Sequence, residues 1–186
     1  MGEPGTKSEV LSLADLEAAG CGRTGRKHVL SIVVENKPGV LTRIAGLFAR
    51  RGFNIDTLTV GPTDEDRLSR ITLTVDGALH PIDQVTKQLH KLVNVLKIRD
   101  LEPTETVARE MALFKISADA GSRGEIMQVV EIFRAKIIDV QRRTVIVEVT
   151  GTTDKVEAFE RMVRPFGLIE MMRTGEIAIN RGRGET

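Results

Sequence analysis

The chain has 186 residues, 41% hydrophobic and 28% charged, an ordinary composition for a soluble chain with room for one medium domain or two small ones. Its 27 basic and 26 acidic side chains leave a net charge of +1, so no overall field steers it toward nucleic acid, a membrane surface or an acidic substrate. Six Phe without Trp or Tyr offer no base-stacking platform, and the single cysteine, Cys21, excludes an internal disulfide or a multi-cysteine metal site, which fits a cytoplasmic setting.

Residues 1–27 carry Glu3, Glu9, Asp15 and Glu17 and lack the basic-then-apolar order of a secretory signal. They are expected to be a flexible tail with at most a short helix over Ser8–Ala19. No apolar run approaches the roughly 20 residues that cross a bilayer. From His28, Leu30, Ile32 and Val34 alternate with Val29, Ser31 and Val33, which predicts a strand. It ends at Asn36-Lys37-Pro38-Gly39. Pro38 suits a first helical turn, and Val40, Leu41, Ile44, Leu47 and Phe48 recur at helical spacing up to a glycine stop at Gly52.

A second strand over 53–60 changes apolar phase between Phe53/Ile55 and Leu58/Val60, as a bulge near Asp56 and Thr57 would produce. A polar hairpin over 61–69 leads to a third strand through Ile71, Leu73 and Val75, closed by Asp76-Gly77. Pro81 opens a helix with Ile82, Val85, Leu89 and Leu92 on one face, and a fourth strand spans 95–101.

The same order returns: strand 111–118, helix 122–134, strands 136–140 and 144–151, helix 154–164 and strand 168–173. Ser122 with Glu125 and Asp154 with Glu157 have capping-box spacing. The fold class expected is α+β, two tandem ferredoxin-like βαββαβ domains, each with two helices on one face of an antiparallel sheet. The expected boundaries are a tail at 1–27, a first domain at 28–102, a linker at 103–109, a second domain at 110–180 and a tail at 181–186.

Chemistry concentrates where the first strand turns through Pro38-Gly39 into a helix and exposes its free N–H groups. Those donors suit a carboxylate. Gly39 admits close approach to the backbone, Val40 and Leu41 supply apolar surface, and the Asn36 amide can accept from an ammonium. A free amino acid matches this set; so does the plainer reading of a tight strand-to-helix turn with no ligand. Asn54, ahead of Ile55, is a further amide with the same two readings.

Glu35-Asn36-Lys37-Pro38-Gly39-Val40-Leu41, Gly52-Phe53-Asn54-Ile55, Leu58-Thr59-Val60-Gly61-Pro62-Thr63 and Lys87-Gln88-Leu89-His90-Lys91-Leu92 resemble the ACT-domain small subunits of acetohydroxyacid synthase, also called acetolactate synthase. The likeness continues through Ile132-Phe133-Arg134, Lys136-Ile137-Ile138-Asp139-Val140 and Arg173-Thr174-Gly175 and covers about residues 28–180. It implies that the first domain is an ACT domain and that the chain is a non-catalytic regulatory subunit. Such a subunit stimulates a large catalytic partner dependent on thiamine diphosphate, FAD and Mg2+, and confers feedback inhibition by valine in branched-chain amino-acid biosynthesis. The resemblance places a valine site on Asn36, Gly39, Val40 and Leu41 of one ACT domain and on Asn54 and Ile55 of a second across a homodimer. Pro38, Thr42, Thr59 and Gly61 would support it.

No cofactor or metal site is expected in this chain itself, and no catalytic residue. His28 starts a strand, His80 precedes Pro81 as a helix cap, His90 falls between core positions, Cys21 lies in the tail, and the second domain has neither His nor Cys. Asp64-Glu65-Asp66 reads as a solvated hairpin. The alternative is an ACT module of another enzyme or of a transcription regulator, although no helix-turn-helix segment is present.

Overall fold

The computed structural model describes residues 27–76, 82–183 and 186. The expected helix at Ser8–Ala19, Cys21, Gly77, His80 and Pro81 lie outside the described residues. Lys27–Glu35 (β1), Val40–Arg51 (α1), Ile55–Pro62 (β2), Leu68–Asp76 (β3), Ile82–Leu89 (α2) and Val95–Leu101 (β4) build the first half. Thr106–Ser117 (β5), Arg123–Ile132 (α3), Lys136–Val140 (β6), Thr144–Gly151 (β7), Thr153–Val163 (α4) and Leu168–Arg173 (β8) repeat the order, and Ile177–Asn180 (β9) follows.

The sheets have the orders β2-β3-β1-β4 and β6-β7-β5-β8, and every pairing is antiparallel. Alternation along β1 and β3 puts Leu30, Ile32, Val34, Ile71, Leu73 and Val75 on one face, where Ile44 and Phe48 of α1 and Val85 and Leu89 of α2 bury them. The second half does the same with Phe114, Ile116, Val145 and Val147 beneath Ile126, Val130 and Phe159. Even the irregularities recur. Asp56 is the extra residue between Ile55 and Thr57, the bulge anticipated from the phase change, and Ile138 is its counterpart between Ile137 and Asp139. Among the described residues no helix is long and apolar enough to cross a membrane.

Helix α1 ends on a reciprocal pair of backbone bonds. Gly52, left-handed at φ 69°, donates to the Ala49 carbonyl, and the Phe53 N–H donates to the Phe48 carbonyl at 3.1 Å. The Phe48 and Phe53 rings complete the closure edge to face, 5.8 Å apart. Phe53 is therefore spent on the helix end, and β2 begins at Ile55 rather than at Phe53.

Both expected capping boxes are replaced. Ahead of α3, Asp119 Oδ1 accepts from the N–H groups of Gly121 and Ser122 and from the Ser122 hydroxyl, so Ser122 is a donor to a cap instead of the cap itself. These bonds, the Ser122 N–H foremost, hold the Asp119 carboxyl below its ordinary value. Ahead of α4, Thr152 accepts from the Lys155 N–H, which moves the start one residue upstream of Asp154.

The first strand of the second half begins at Thr106, not at Met111, because Thr106–Arg109 pairs with β9. Residues 103–109 thus contain a short 3-10 turn at Pro103–Glu105 and the first residues of a twelve-residue strand. Strand β9 escapes the apolar pattern because its isoleucines point outward, Ile177 and Ile179 being exposed while Ala178 is buried.

Candidate functional site

Gly39 has φ 83° and ψ −6°, and the Val40 N–H reaches the Lys37 carbonyl at 3.4 Å, the geometry of a type II turn with Pro38 and Gly39 at its centre. Pro38 therefore stands in the turn ahead of α1 and not in its first helical turn. The Arg43 N–H closes on the Gly39 carbonyl at 3.1 Å. Leu41 and Thr42 supply first-turn N–H groups for which an α-helix has no internal acceptor. Val40 is buried in the core, Leu41 is 42% exposed, and Asn36, Lys37, Pro38, Gly39 and Thr42 face solvent. The Asn36 amide nitrogen donates to the Asp66 carbonyl at 3.3 Å, which leaves its Oδ1 to accept from a ligand.

A brace behind this turn is absent from the sequence reasoning. Glu35 accepts from Asn94 Nδ2 at 2.5 Å and from Lys37 Nζ at 3.1 Å, Arg43 Nη1 donates to Asn94 Oδ1 at 2.9 Å, and the Glu35 N–H reaches the Asn94 carbonyl at 3.0 Å. Asn94 thus ties the loop, the first turn of α1 and the approach to β4 together. Its hydrogen bond, followed by that of Lys37, holds the Glu35 carboxyl below the ordinary 4.5. A carboxyl lowered in the folded chain contributes above its unfolded value and is lost as pH falls through the folded one. NMR shifts of the loop amides are expected to be steady from neutral pH down to 4.5 and to move below it. Glu35→Gln should abolish that acid step, and persistence of the step would assign it to another group.

The remaining candidates lie elsewhere in the same chain. Ile55 pairs with Val75, which pairs with His28, whereas Glu35 at the other end of β1 pairs with Leu68. Seven residues of strand separate these rows, about 23 Å. One chain therefore does not bring Asn54 and Ile55 to Asn36–Gly39. Asn54 is exposed and donates to Asp56 Oδ1 at 3.1 Å, and Lys27 Nζ lies 3.5 Å from Asp56 Oδ2. Thr59 and Gly61 pair with Thr72 and Arg70, on the sheet face away from the helices, whereas Leu58 and Val60 pair with Leu73 and Ile71 on the helix side. These two apolar residues are 36% and 47% exposed on β2, an outer strand of the sheet.

His28 Nδ1 bonds Asp100 Oδ2 at 2.8 Å, His90 is exposed in the turn after α2, and Asp64, Glu65 and Asp66 are solvated. Among the described residues no three of His, Cys, Asp and Glu converge as metal ligands.

The family model described as the AHAS small subunit-like ACT domain matches residues 30–97, and that described as the small subunit of acetolactate synthase matches residues 109–182. The acetolactate synthase small subunit of Mycolicibacterium smegmatis is 47% identical over 155 residues, 83% of this chain and 91% of that protein. A probable acetolactate synthase small subunit of Archaeoglobus fulgidus is 49% identical over 156 residues, 84% of this chain and 98% of that protein. The crystal structure of the acetolactate synthase small subunit from Thermotoga maritima superimposes with a TM-score of 0.79 at 46% identity, covering 86% of this chain and 99% of that one.

Proposed function

The chain belongs to the acetolactate synthase small-subunit family, and from that premise we propose that it is the non-catalytic regulatory subunit of the cytoplasmic holoenzyme. It stimulates a large subunit that carries thiamine diphosphate, FAD and Mg2+, and it confers feedback inhibition by valine. The observation that supports the valine reading is that Ile55 starts the outer strand β2, while the turn at 36–39 follows Glu35, which pairs with Leu68 next to Ser69, the partner of Pro62 at the other end of that strand. Two copies joined antiparallel along this outer strand bring the Ile55 end of one against the Pro62 end of the other, beside the partner's turn at 36–39. Such pairing also covers Leu58, Val60 and Leu41.

In that arrangement the valine carboxylate docks on the first N–H groups of α1, the amides of Asn36 and the partner's Asn54 hold the ammonium, and Val40, Leu41 and the partner's Ile55 enclose the side chain. Enclosure contributes about 1.5–3 kcal/mol, enough to favour valine over alanine and too little to separate it sharply from leucine or isoleucine. Inhibition requires a coupling of roughly 1–3 kcal/mol between this site and the catalytic subunit.

Mixing the chain with the catalytic subunit is expected to raise acetolactate formation, and adding valine to reverse that rise. No stimulation and no valine response would reject the regulatory reading.

A further inference from the structure

Among the described residues, the second half of the chain meets the ACT sheet at a close contact on β2 and again where β9 passes β4. Thr57, Thr59 and Gly61 project from the helix-free face, and Thr59 Oγ1 donates to the Thr174 carbonyl at 3.0 Å. Gly175, at φ +80°, lies so close that a Cβ there would stand 2.9 Å from Thr59 Oγ1 and 3.2 Å from Thr57 Cβ. Thr57 in turn directly follows the Asp56 bulge, and its hydroxyl donates to Thr74 Oγ1 at 2.9 Å. Further along the same face the halves stand apart around a cavity of ≈ 310 Å³ lined by Gly61, Arg70 and Thr72 on one side and Val107, Ile177 and Ile179 on the other.

The turn that touches β2 is itself firmly held. The Thr174 N–H donates to the Met111 carbonyl at 3.0 Å, and the Met111 N–H donates to Thr174 Oγ1 at 3.1 Å. Arg173 pairs with the buried Glu110 of β5, and Thr153 Oγ1, at the start of α4, donates to Glu176 Oε1 at 2.5 Å. The turn is thus tied to β5 and to the start of α4.

We propose that this contact is a latch through which effector occupancy at the Asn54–Ile55 end of β2 is transmitted to the second domain, with Gly175 and Thr59 as its positioning residues. The proposal rests on the regulatory reading above. A ligand gripping Ile55 pulls on the strand two residues from Thr57. The tight seat at Gly175, beside an open gap, gives the second domain a fulcrum about which to tilt.

The test uses the full chain bound to its catalytic subunit. Gly175→Ala adds a methyl where none fits and forces a left-handed backbone on alanine. It is expected to leave valine binding, read by calorimetry, and valine-free stimulation unchanged, while raising the valine concentration for half-inhibition about tenfold or more. Thr59→Val removes only the hydrogen bond and should produce a smaller shift of the same kind. The double variant should be no worse than Gly175→Ala alone, since both act through one contact. Normal inhibition of a Gly175→Ala subunit that folds and binds valine, or additive effects in the double variant, would overturn the latch. If Gly175→Ala does not fold, Thr59→Val decides alone: weakened inhibition with calorimetric valine binding kept supports the latch, whereas unchanged inhibition, or inhibition lost together with binding as a supporting role of Thr59 at the valine site would give, removes it. A wild-type chain that neither binds valine nor transmits inhibition by it would instead reject the regulatory reading, and the latch with it.

Discussion

Gly39→Asp is expected to weaken valine binding by about 30-fold or more, while Gly39→Asn loses far less. Both substitutions meet the same steric situation: a Cβ at Gly39 finds no atom within 4 Å, and φ 83° is a conformation that Asn and Asp tolerate better than other side chains. The fold should therefore survive in both, and the difference between them isolates charge. A carboxylate about 4 Å from the ligand's own carboxylate costs about 4 kcal/mol at the effective dielectric of a protein surface. Solvent screening lowers that toward about 1 kcal/mol for a fully exposed pair, and enclosure of the ligand between two protomers would keep it nearer the upper value. Calorimetry on the isolated protein measures the pair directly, and equal affinities for the two variants would sink the assignment of a carboxylate to the start of α1.

Phe159→Ala is expected to cost about 3–5 kcal/mol and to unfold the second half of the chain. Phe159 is completely buried, with the Phe114 ring at 5.0 Å and the Phe133 ring at 5.4 Å, so truncation opens a cavity beside the two remaining rings. A core this small supplies only a few kcal/mol of net stability. The first half has its own core around Phe48, Leu30 and Leu73 and should keep its unfolding transition. Met162→Ala on the same helix, at a position 50% exposed, should change stability by less than about 0.5 kcal/mol. Denaturant unfolding followed by circular dichroism distinguishes the outcomes. A single transition that shifts as a whole would mean that the halves unfold as one unit.

Much of the fold was legible because its signals are local. Strands β4, β6, β7 and β8 fall where apolar alternation put them, and the change of phase between Ile55 and Leu58 disclosed the bulge at Asp56. Failures occur where a partner distant in sequence decides. Strand β9 exists because Thr106–Arg109 pairs with it, and its outward Ile177 and Ile179 invert the pattern that marks a strand. The cap of α3 went to Asp119 since that carboxylate reaches several donors at once, which spacing does not register. At the candidate site the turn was readable from Asn36 to Gly39, whereas the Glu35–Asn94–Arg43 brace joins residues 59 and 51 positions apart. The left-handed Gly175 seated on β2 leaves no trace in composition or periodicity.

Helix α1 has a further consequence. It begins at Val40, directly after the Gly39 turn, and is locked at its far end by Gly52 and Phe53, immediately before Asn54 and Ile55. It is thus a stiff strut of twelve residues, about 18 Å long, with one end at the 36–39 turn and the other beside Asn54. In the proposed paired arrangement two such struts would run between the two valine sites, each strut footed in both. On the proposed pairing, filling one site would load both struts, and the second valine would meet a dimer already set by the first.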